Sequence, residues 1–383
     1  MEEAVTTERV YDAIVVGVGG MGSATVYQLA KRGLHVLGLE RFRIPHEMGS
    51  SHGITRIIRL AFHEGPAYVP LGRRAYELWN EFEEQSGERV LHVTGSVHAG
   101  DPGALAFENT LRACREQDVP HEVLTSAELA ARFPGYGLPR EMTAIVQPQG
   151  GFLTPEHCVE GHVAVARGLG AEVHEEERVL DWAAFSGGVR VRTEADVYEA
   201  GSLVLTTGAW ASRFLPELAG VAVPERQVMA WFEPDDPTLF APSRFPVFIV
   251  TLDGDEYYGF PEFGVPGLKL GKFDNTGIAA DPDALDRAWR ADDEEMLRDF
   301  LRRCLPRAAG RLLRMAVCMF TNSPDRHFII GQHPAWPQVS FAAGFSGHGF
   351  KFSSVIGEIM ADLAERGESR HDISLFAPAR FTS

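Results

Sequence analysis

Ala13-Ile14-Val15-Val16-Gly17-Val18-Gly19-Gly20-Met21-Gly22 is the stretch that decides the fold. Its apolar run fits a strand buried on both faces of a parallel sheet, and the glycines end it. Gly17, Gly19 and Gly22 form a G-x-G-x-x-G pattern, with Gly20 and Met21 in the gap. The three glycines serve a tight turn, close backbone approach to a pyrophosphate, and close packing of helix on strand. A helix is predicted from Met21 to Arg32, stopped by Gly33, with its free N–H groups facing the same phosphates. Leu34 to Leu39 reads as a second strand ending at Glu40, 18 residues after Gly22. A carboxylate there accepts hydrogen bonds from ribose hydroxyls and disfavours a 2′-phosphate. Together these features predict a dinucleotide site, and they leave FAD and NAD open.

Outward from this unit, helices are predicted near Leu71 to Gln85 and Gly103 to Glu116. The Pro/Gly density between Gly137 and Pro155 predicts a crossing loop. A second α/β unit follows, with a helix at Cys158 to Gly168 and a strand at Glu172 to Val179. A hairpin is expected from Val189 to Arg192 with Val197 to Ala200, then a buried strand from Ser202 to Thr206. From Val221 to about Arg314 the texture turns aromatic and Pro-rich, with one charged helix at Asp292 to Arg303, as in an antiparallel domain. The chain returns to strand (Val339 to Ala343), glycine loop (Gly344 to Gly349) and helix (about Lys351 to Arg366). The fold class is α/β with α+β elements. A Rossmann-like dinucleotide domain is expected from residues 1–85, 150–220 and 315–383, and an antiparallel-sheet substrate domain from 86–149 and 221–314.

With 383 residues, two connected domains are the natural expectation. The net charge of −17 argues against nucleic acid or an anionic membrane as the main partner, while allowing a small anionic substrate held by local Arg and Lys. No stretch approaches the roughly 20 apolar residues that span a bilayer. The acidic start, Met1 to Glu8, does not read as a secretory signal, and Phe381-Thr382-Ser383 is not a peroxisomal address. Cys114, Cys158, Cys304 and Cys318 lie far apart, which disfavours zinc and disulfide scaffolds and fits a reduced, cytoplasmic setting. The histidines show no metal-ligand spacing, so no metal is expected.

Three further segments resolve the choice of dinucleotide. They are His52-Gly53-Ile54-Thr55-Arg56-Ile57-Ile58-Arg59; Tyr258-Gly259-Phe260-Pro261 leading to Gly267-Leu268-Lys269-Leu270-Gly271; and Cys318-Met319-Phe320-Thr321 followed by Gly344-Phe345-Ser346-Gly347-His348-Gly349-Phe350-Lys351. With the glycine turn, they resemble the monomeric sarcosine oxidase family, whose relatives include N-methyltryptophan oxidase and pipecolate-type cyclic amine oxidases. The resemblance runs almost end to end, in order and spacing. It implies an FAD-dependent, monomeric oxidase of secondary amino acids. Hydride equivalents pass from the C–H next to nitrogen to flavin N5, the imine is released and hydrolysed, and O2 is reduced to H2O2. A flavin dehydrogenase of the same fold, using another acceptor, is the alternative.

The resemblance also implies residue roles. Cys318 matches the cysteine that forms a thioether with the flavin 8α-methyl carbon, a reaction of the thiolate. Lys269 matches the lysine whose charge favours electron transfer to O2. Arg56 and His52 match residues beside the flavin ring. Arg59 and Lys351 are assigned the substrate carboxylate, for which an Arg fork plus a second cation suits the geometry. Tyr258, Phe273 and Phe320 complete the substrate site. Cofactor contacts are implied for Arg41, Ser51, Thr55, Gly208 and Trp210, for backbone at Val179, and for Gly344, Ser346, Gly347 and Gly349. Two positions depart from the best-known sarcosine oxidase pattern: Phe273 stands where histidine is common, and Phe320 where tyrosine is. Both substitute an apolar ring for a hydrogen-bonding group, so bulkier or cyclic amines are expected to compete well with sarcosine.

Overall fold

The computed structural model describes residues 11–273 and 277–381; Met1–Glu8 and Thr382-Ser383, on which the targeting expectations rest, lie outside the described residues. Tyr11–Val16 and Val36–Leu39 run parallel, Ala13 opposite Val36 and Val16 opposite Leu39. Helix Gly20–Lys31 connects them and ends at Gly33, whose φ of 81° is the left-handed conformation that suits glycine. Ala13, Ile14 and Val15 are fully buried because both sheet faces are covered. Helices Gly20–Lys31, Pro155–Gly168 and Ser353–Arg366 pack together on one side. A Cβ on Gly357 would stand 2.6 Å from the Ala24 carbonyl carbon, so only glycine permits that helix contact.

The first sheet runs in the order Val179–Phe185, Gly188–Thr193, Val197–Leu205, Tyr11–Val16, Val36–Leu39, Glu172–His174. Trp336–Ala343 joins it parallel to Leu203–Leu205 and carries Ile329–His333 on its other edge. Separated chain segments therefore build one sheet. The second sheet orders Leu312–Asn322, Val223–Phe232, Leu268–Lys272, Asp255–Phe260, Val247–Leu252, Ser96–Gly100, Thr143–Gln147 and Glu122–Thr125. Its pairings are antiparallel except Val247–Leu252 with Ser96–Gly100. Helix Ala291–Cys304 seals it, stacking Phe300 on Tyr257 with ring centroids 4.3 Å apart. Arg56–Ile58, Gly151–Leu153 and Leu91–Val93 form a small third sheet. No helix among the described residues is long and apolar enough to cross a membrane.

Four sequence expectations need correction. The Gly137–Pro155 crossing loop contains the strands Thr143–Gln147 and Gly151–Leu153. Its glycines serve close approach, since a Cβ on Gly151 would stand 2.0 Å from the His92 carbonyl oxygen and one on Gly150 would stand 2.3 Å from the Ser96 Cβ. The Glu172–Val179 strand is interrupted after His174; Glu176 has φ 58°, and Val179 begins the next strand. Val197–Ala200 and Ser202–Thr206 are one strand, Val197–Leu205, which changes one neighbour midway from Gly188–Thr193 to Trp336–Ala343. The last helix is preceded by a 3-10 turn, Phe350–Phe352, so Lys351 sits in the turn and the α-helix proper starts at Ser353. Leu312–Asn322 pairs along the second sheet with Val223–Phe232.

Candidate functional site

A cavity of about 250 Å³ opens beyond Val16 and Leu39, where the first two strands give way to the glycine turn. This is the crevice at the carboxyl ends of parallel strands where α/β sheets hold ligands. Gly17, Gly19, Gly20 and Met21 line it. At Gly17, φ is 86° and a Cβ would stand 2.7 Å from the Thr206 carbonyl oxygen; at Gly22 a Cβ would stand 1.8 Å from the Gly17 oxygen. Gly22 therefore packs the turn from behind, off the cavity wall. Gly19 is the opposite case, with nothing within 4 Å of the Cβ position. No side chain caps the helix that follows. The buried Glu40 accepts from Val18 N at 2.8 Å through Oε2 and from Phe42 N at 3.0 Å through Oε1, so it shapes the turn as well as lining the cavity.

Arg41, Val179, Gly208 and Trp210 line the same wall. Here Asp283, unmarked in the sequence, accepts from Arg41 Nη1 at 2.6 Å and Trp210 Nε1 at 2.8 Å, and pairs with Arg213. Burial opposes its ionisation, but these three donors win and hold its carboxyl down at about 2. Around the cavity Arg41, Arg56, Arg178 and Arg213 outnumber Glu40 and Glu177, a balance suited to a diphosphate.

Ser51, whose Oγ accepts from Gly20 N at 3.3 Å, lines the cavity beside the turn, and Arg56, Phe320, Gly344, Gly347 and Gly349 line it further on. Arg56, Phe320, Gly347 and Phe350 are shared with a second, smaller chamber of about 80 Å³. Cys318, Arg59, Lys351, Tyr258 and Phe273 also line that chamber. The Phe273 and Phe320 rings lie 5.4 Å apart, and a Cβ on Gly347 (φ 76°) would stand 2.5 Å from Phe320 Cε2 and 2.8 Å from Phe273 Cε2. Glycine is what lets this loop pass under the two rings.

The chamber is strongly charged for its depth. Arg59 is 3% exposed, with Nη1 3.4 Å from His98 Nδ1 and no hydrogen bond at Nε. Lys351 donates to the His348 carbonyl at 2.6 Å, and burial, with the neighbouring Arg59, pulls it down to about 7 against the pull of Glu64. Burial works to raise Glu64, yet His63, His348, Lys351 and Arg59 hold it well below the carboxylate range. The Cys318 thiol is pushed up by burial and pulled down less strongly by Arg56 and Lys269.

Some predicted site residues stand behind the walls rather than on them. Lys269, expected on an alternating strand, is 2% exposed and donates to Gly53 O at 2.6 Å, Thr55 O at 2.9 Å and Thr55 Oγ1 at 3.1 Å. It braces the His52–Thr55 loop, with Phe260 4.4 Å from its ammonium. His52 is buried with no hydrogen bond at Nε2; burial, then Arg56, lowers it to about 3, so its ring is neutral. Ser346 is fully buried, its Oγ accepting from Ser323 N at 3.1 Å, so its side chain holds the glycine loop together. Glu156 escaped the sequence reading: its carboxylate accepts from Gly53 N at 2.6 Å and Ile54 N at 3.0 Å. The signal was an acid in the first turn of a helix begun by Pro155.

The residues fit the cofactor that the glycine turn requires. A continuous pair of cavities leads from uncapped backbone at Gly19 to Cys318, and Gly19 alone of the turn leaves open space at its Cβ position. The model of the FAD dependent oxidoreductase (DAO) family matches residues 12–363. The chain belongs to the FAD-dependent oxidoreductase family. Within it, the chain is 42% identical over 378 residues to monomeric sarcosine oxidase of Streptomyces avermitilis, covering 97% of this chain and 98% of that protein. It is 36% identical over 375 residues to N-methyl-L-tryptophan oxidase of Yersinia pestis, at 97% and 99% coverage. Among solved structures, NikD, an amino acid oxidase essential for nikkomycin biosynthesis, superposes with a TM-score of 0.84 at 27% identity, covering 97% and 98%. This member of the family is thus an FAD-dependent, sarcosine oxidase-like enzyme of mixed α/β fold.

Proposed function

We propose that this enzyme oxidises secondary amino acids, with sarcosine, other N-methyl amino acids and cyclic imino acids as the substrate class and O2 as acceptor. The observation that carries the reading is the small chamber, where Arg59 and Lys351 share one wall with Cys318, Tyr258, Phe273 and Phe320, next to the dinucleotide cavity. When bound, FAD supplies a two-electron acceptor for the C–H bond beside nitrogen, and O2 regenerates it with formation of H2O2. Gly17 to Met21, Glu40, Arg41, Val179, Gly208, Trp210 and the Gly344–Gly349 loop would hold it. Cys318 would join it covalently, its thiol drawn toward ionisation by Arg56 and Lys269 against burial.

Arg59 and Lys351 pair with the substrate carboxylate, and fixing that group orients the C–H bond, a gain in proximity. Arg56, Arg59 and Lys351 disfavour the substrate's ammonium form, so the reactive free amine is the one retained. The two phenylalanines give the nitrogen substituent an apolar surround and exclude water. With Phe320 lacking a hydroxyl, Tyr258 is the one phenol lining the chamber besides Tyr257. Burial, then Arg56, pulls Lys269 well below the usual lysine range, while the three hydrogen bonds it donates to Gly53 and Thr55 favour its ammonium form; that charge, behind the loop bearing Arg56, assists the reaction with O2. The division into a dinucleotide unit and a substrate unit, a monomeric state and a cytoplasmic site of action belong to the same reading.

The test is direct. Protein precipitated in acid keeps its yellow colour in the pellet when flavin is covalent. An anaerobic bleach by sarcosine, N-methyl amino acids, proline or pipecolate identifies substrates, and peroxide yield in air separates oxidase from dehydrogenase. Failure of every secondary amine to bleach the flavin sinks the reading. Preference for sarcosine by about tenfold over all others sinks the broader pocket.

A further inference from the structure

Arg59 follows the short strand Arg56–Ile58, and its guanidinium carries five N–H groups and no acceptor. Nη1 stands 3.4 Å from His98 Nδ1, while Nε is buried without a hydrogen bond. His98 lies on Ser96–Gly100, between Val247–Leu252 and Thr143–Gln147 in the second sheet. Thr110, on helix Leu105–Glu116, also meets Nδ1, its Oγ1 at 2.8 Å. Burial, then Arg59 and His63, hold the buried His98 ring well below the usual histidine range, so it is neutral. A neutral imidazole has one N–H and one bare nitrogen, and their order decides what Arg59 meets.

With the proton on Nδ1, the ring donates to Thr110, whose hydroxyl then serves the Ala106 carbonyl at 3.0 Å. Arg59 Nη1 would then face a second donor and gain no bond. With the proton on Nε2, the Nδ1 lone pair accepts from both Thr110 and Arg59. The Ala106 carbonyl loses only an extra donor, since the helix N–H of Thr110 already serves it. Nε2 is unbonded in either case. The first arrangement strands a buried cationic donor that the second satisfies, and a stranded charged group costs more than a neutral one.

This contact has a consequence for the rest of the guanidinium. Nη1 lies on the Cδ side of the fork, and Nε with Nη2 forms the opposite edge, whose parallel N–H bonds match a carboxylate. Resting on the amino-acid reading above, we infer that His98 is a positioning residue: its bare Nδ1 takes Nη1 and leaves the Nε–Nη2 edge of Arg59 for the substrate carboxylate. An imidazole suits this task better than an acid, because it holds the cation without cancelling the charge that the substrate needs. The competing role for His98 is packing between strand and helix, which involves neither a tautomer nor Arg59.

His98→Leu removes the acceptor at similar volume, and His98→Asn can return an amide oxygen to the place of Nδ1. Flavin reduction by sarcosine is followed anaerobically for each, alone and combined with Arg59→Met. His98→Leu alone should lower the second-order rate constant at least about tenfold, but less than about twofold beside Arg59→Met, because contacting residues are not additive. His98→Asn should stay within about threefold of the parent. Equal losses in the two backgrounds overturn the inference. So does no loss in either, or an Asn variant as slow as the Leu variant. If His98→Leu folds poorly, nitrogen NMR shifts of the parent's imidazoles decide: the signals missing from His98→Asn should report Nε2–H, and Nδ1–H overturns the inference. Failure of the amino-acid reading looks different: no bleach even with sarcosine, while the tautomer is measured all the same.

Discussion

Gly19 and Gly22 lie three residues apart in one turn, and adding one methyl group to each should have different consequences. A Cβ on Gly22 would stand 1.8 Å from the Gly17 oxygen, where real Cβ contacts stay beyond 3.0 Å, so the turn must open by more than an ångström. Overpacking of this kind costs about 1–3 kcal/mol, and more when the obstacle is backbone. Alanine returns about 1 kcal/mol in helix propensity. Gly22→Ala should therefore lose about 2 kcal/mol net, or roughly 4–8 °C in Tm at about 2–4 °C per kcal/mol. Gly19→Ala meets nothing within 4 Å and keeps an ordinary φ of −78°. Its cost to the flavin-free protein is that of a poorer helix cap, about 1 kcal/mol or less. Yet its methyl group would occupy the open space that the pyrophosphate needs. Protein made under riboflavin limitation allows both readouts: thermal unfolding, then titration with FAD. Gly19→Ala should melt within about 3 °C of the parent while binding FAD at least about tenfold more weakly. Tight FAD binding by Gly19→Ala would refute the assignment of that space to the pyrophosphate. An unchanged Tm in Gly22→Ala would refute the steric argument.

Other outcomes follow from the charges. Lys351, lowered to about 7, is cationic below that pH in the ligand-free enzyme; the Kd of a simple carboxylate such as propionate should rise as pH climbs through about 7, by up to tenfold per unit, and Lys351→Met should flatten the profile. Lys269→Met removes the buried ammonium that bonds Gly53 and Thr55; stopped-flow reoxidation by O2 should slow by about a hundredfold or more, and anaerobic flavin reduction by much less. Asp283 has a folded pKa of about 2 against its ordinary 3.8, so its stabilisation is complete above 3.8 and lost as pH falls toward about 2. That shift has an upper bound of about 2 kcal/mol, and because Asp283 is exposed to solvent, screening leaves about 1 kcal/mol or less. Asp283→Asn should show most of the loss in denaturant melts at pH 7, and the gap to the parent should narrow below pH 4.

Local patterns were legible where one physical requirement dominates. The strand–turn–helix opening announces itself because a buried parallel strand and a phosphate-facing turn each demand narrow residue types, and the helices beginning near Tyr68 and Ala291 followed from apolar periodicity. One error came from glycine. Gly150 and Gly151 read as loop residues, but tertiary neighbours, Ser96 and His92, are what exclude a Cβ there. Partner exchange within Val197–Leu205 is likewise invisible to local pattern, because either half makes a good strand. The short helix Ser126–Arg132 could have been found: Thr125 and Glu128 form a capping box that the sequence spells out. For the site, the resemblance pointed to Cys318, Arg59, Lys351 and the two phenylalanines, which line one chamber, whereas Glu156, Asp283 and Glu64 went unmarked. Their positions depend on which distant loop they meet.

The exchange of partners along Val197–Leu205 bears on how the molecule is made. Its first half is satisfied by the preceding hairpin strand, but Leu203, Val204 and Leu205 wait for Val339, Ser340 and Phe341, more than 130 residues further along the chain. Until that stretch leaves the ribosome, the sheet has a raw apolar margin beside the glycine turn, and the Gly344–Gly349 side of the cavity does not exist. Contacts of such long sequence separation form slowly, because a large loop must close first. Flavin capture is therefore a late event in biogenesis, set by synthesis and closure of the last strand. A nascent chain stalled before residue 339 should hold no flavin, however complete its glycine turn.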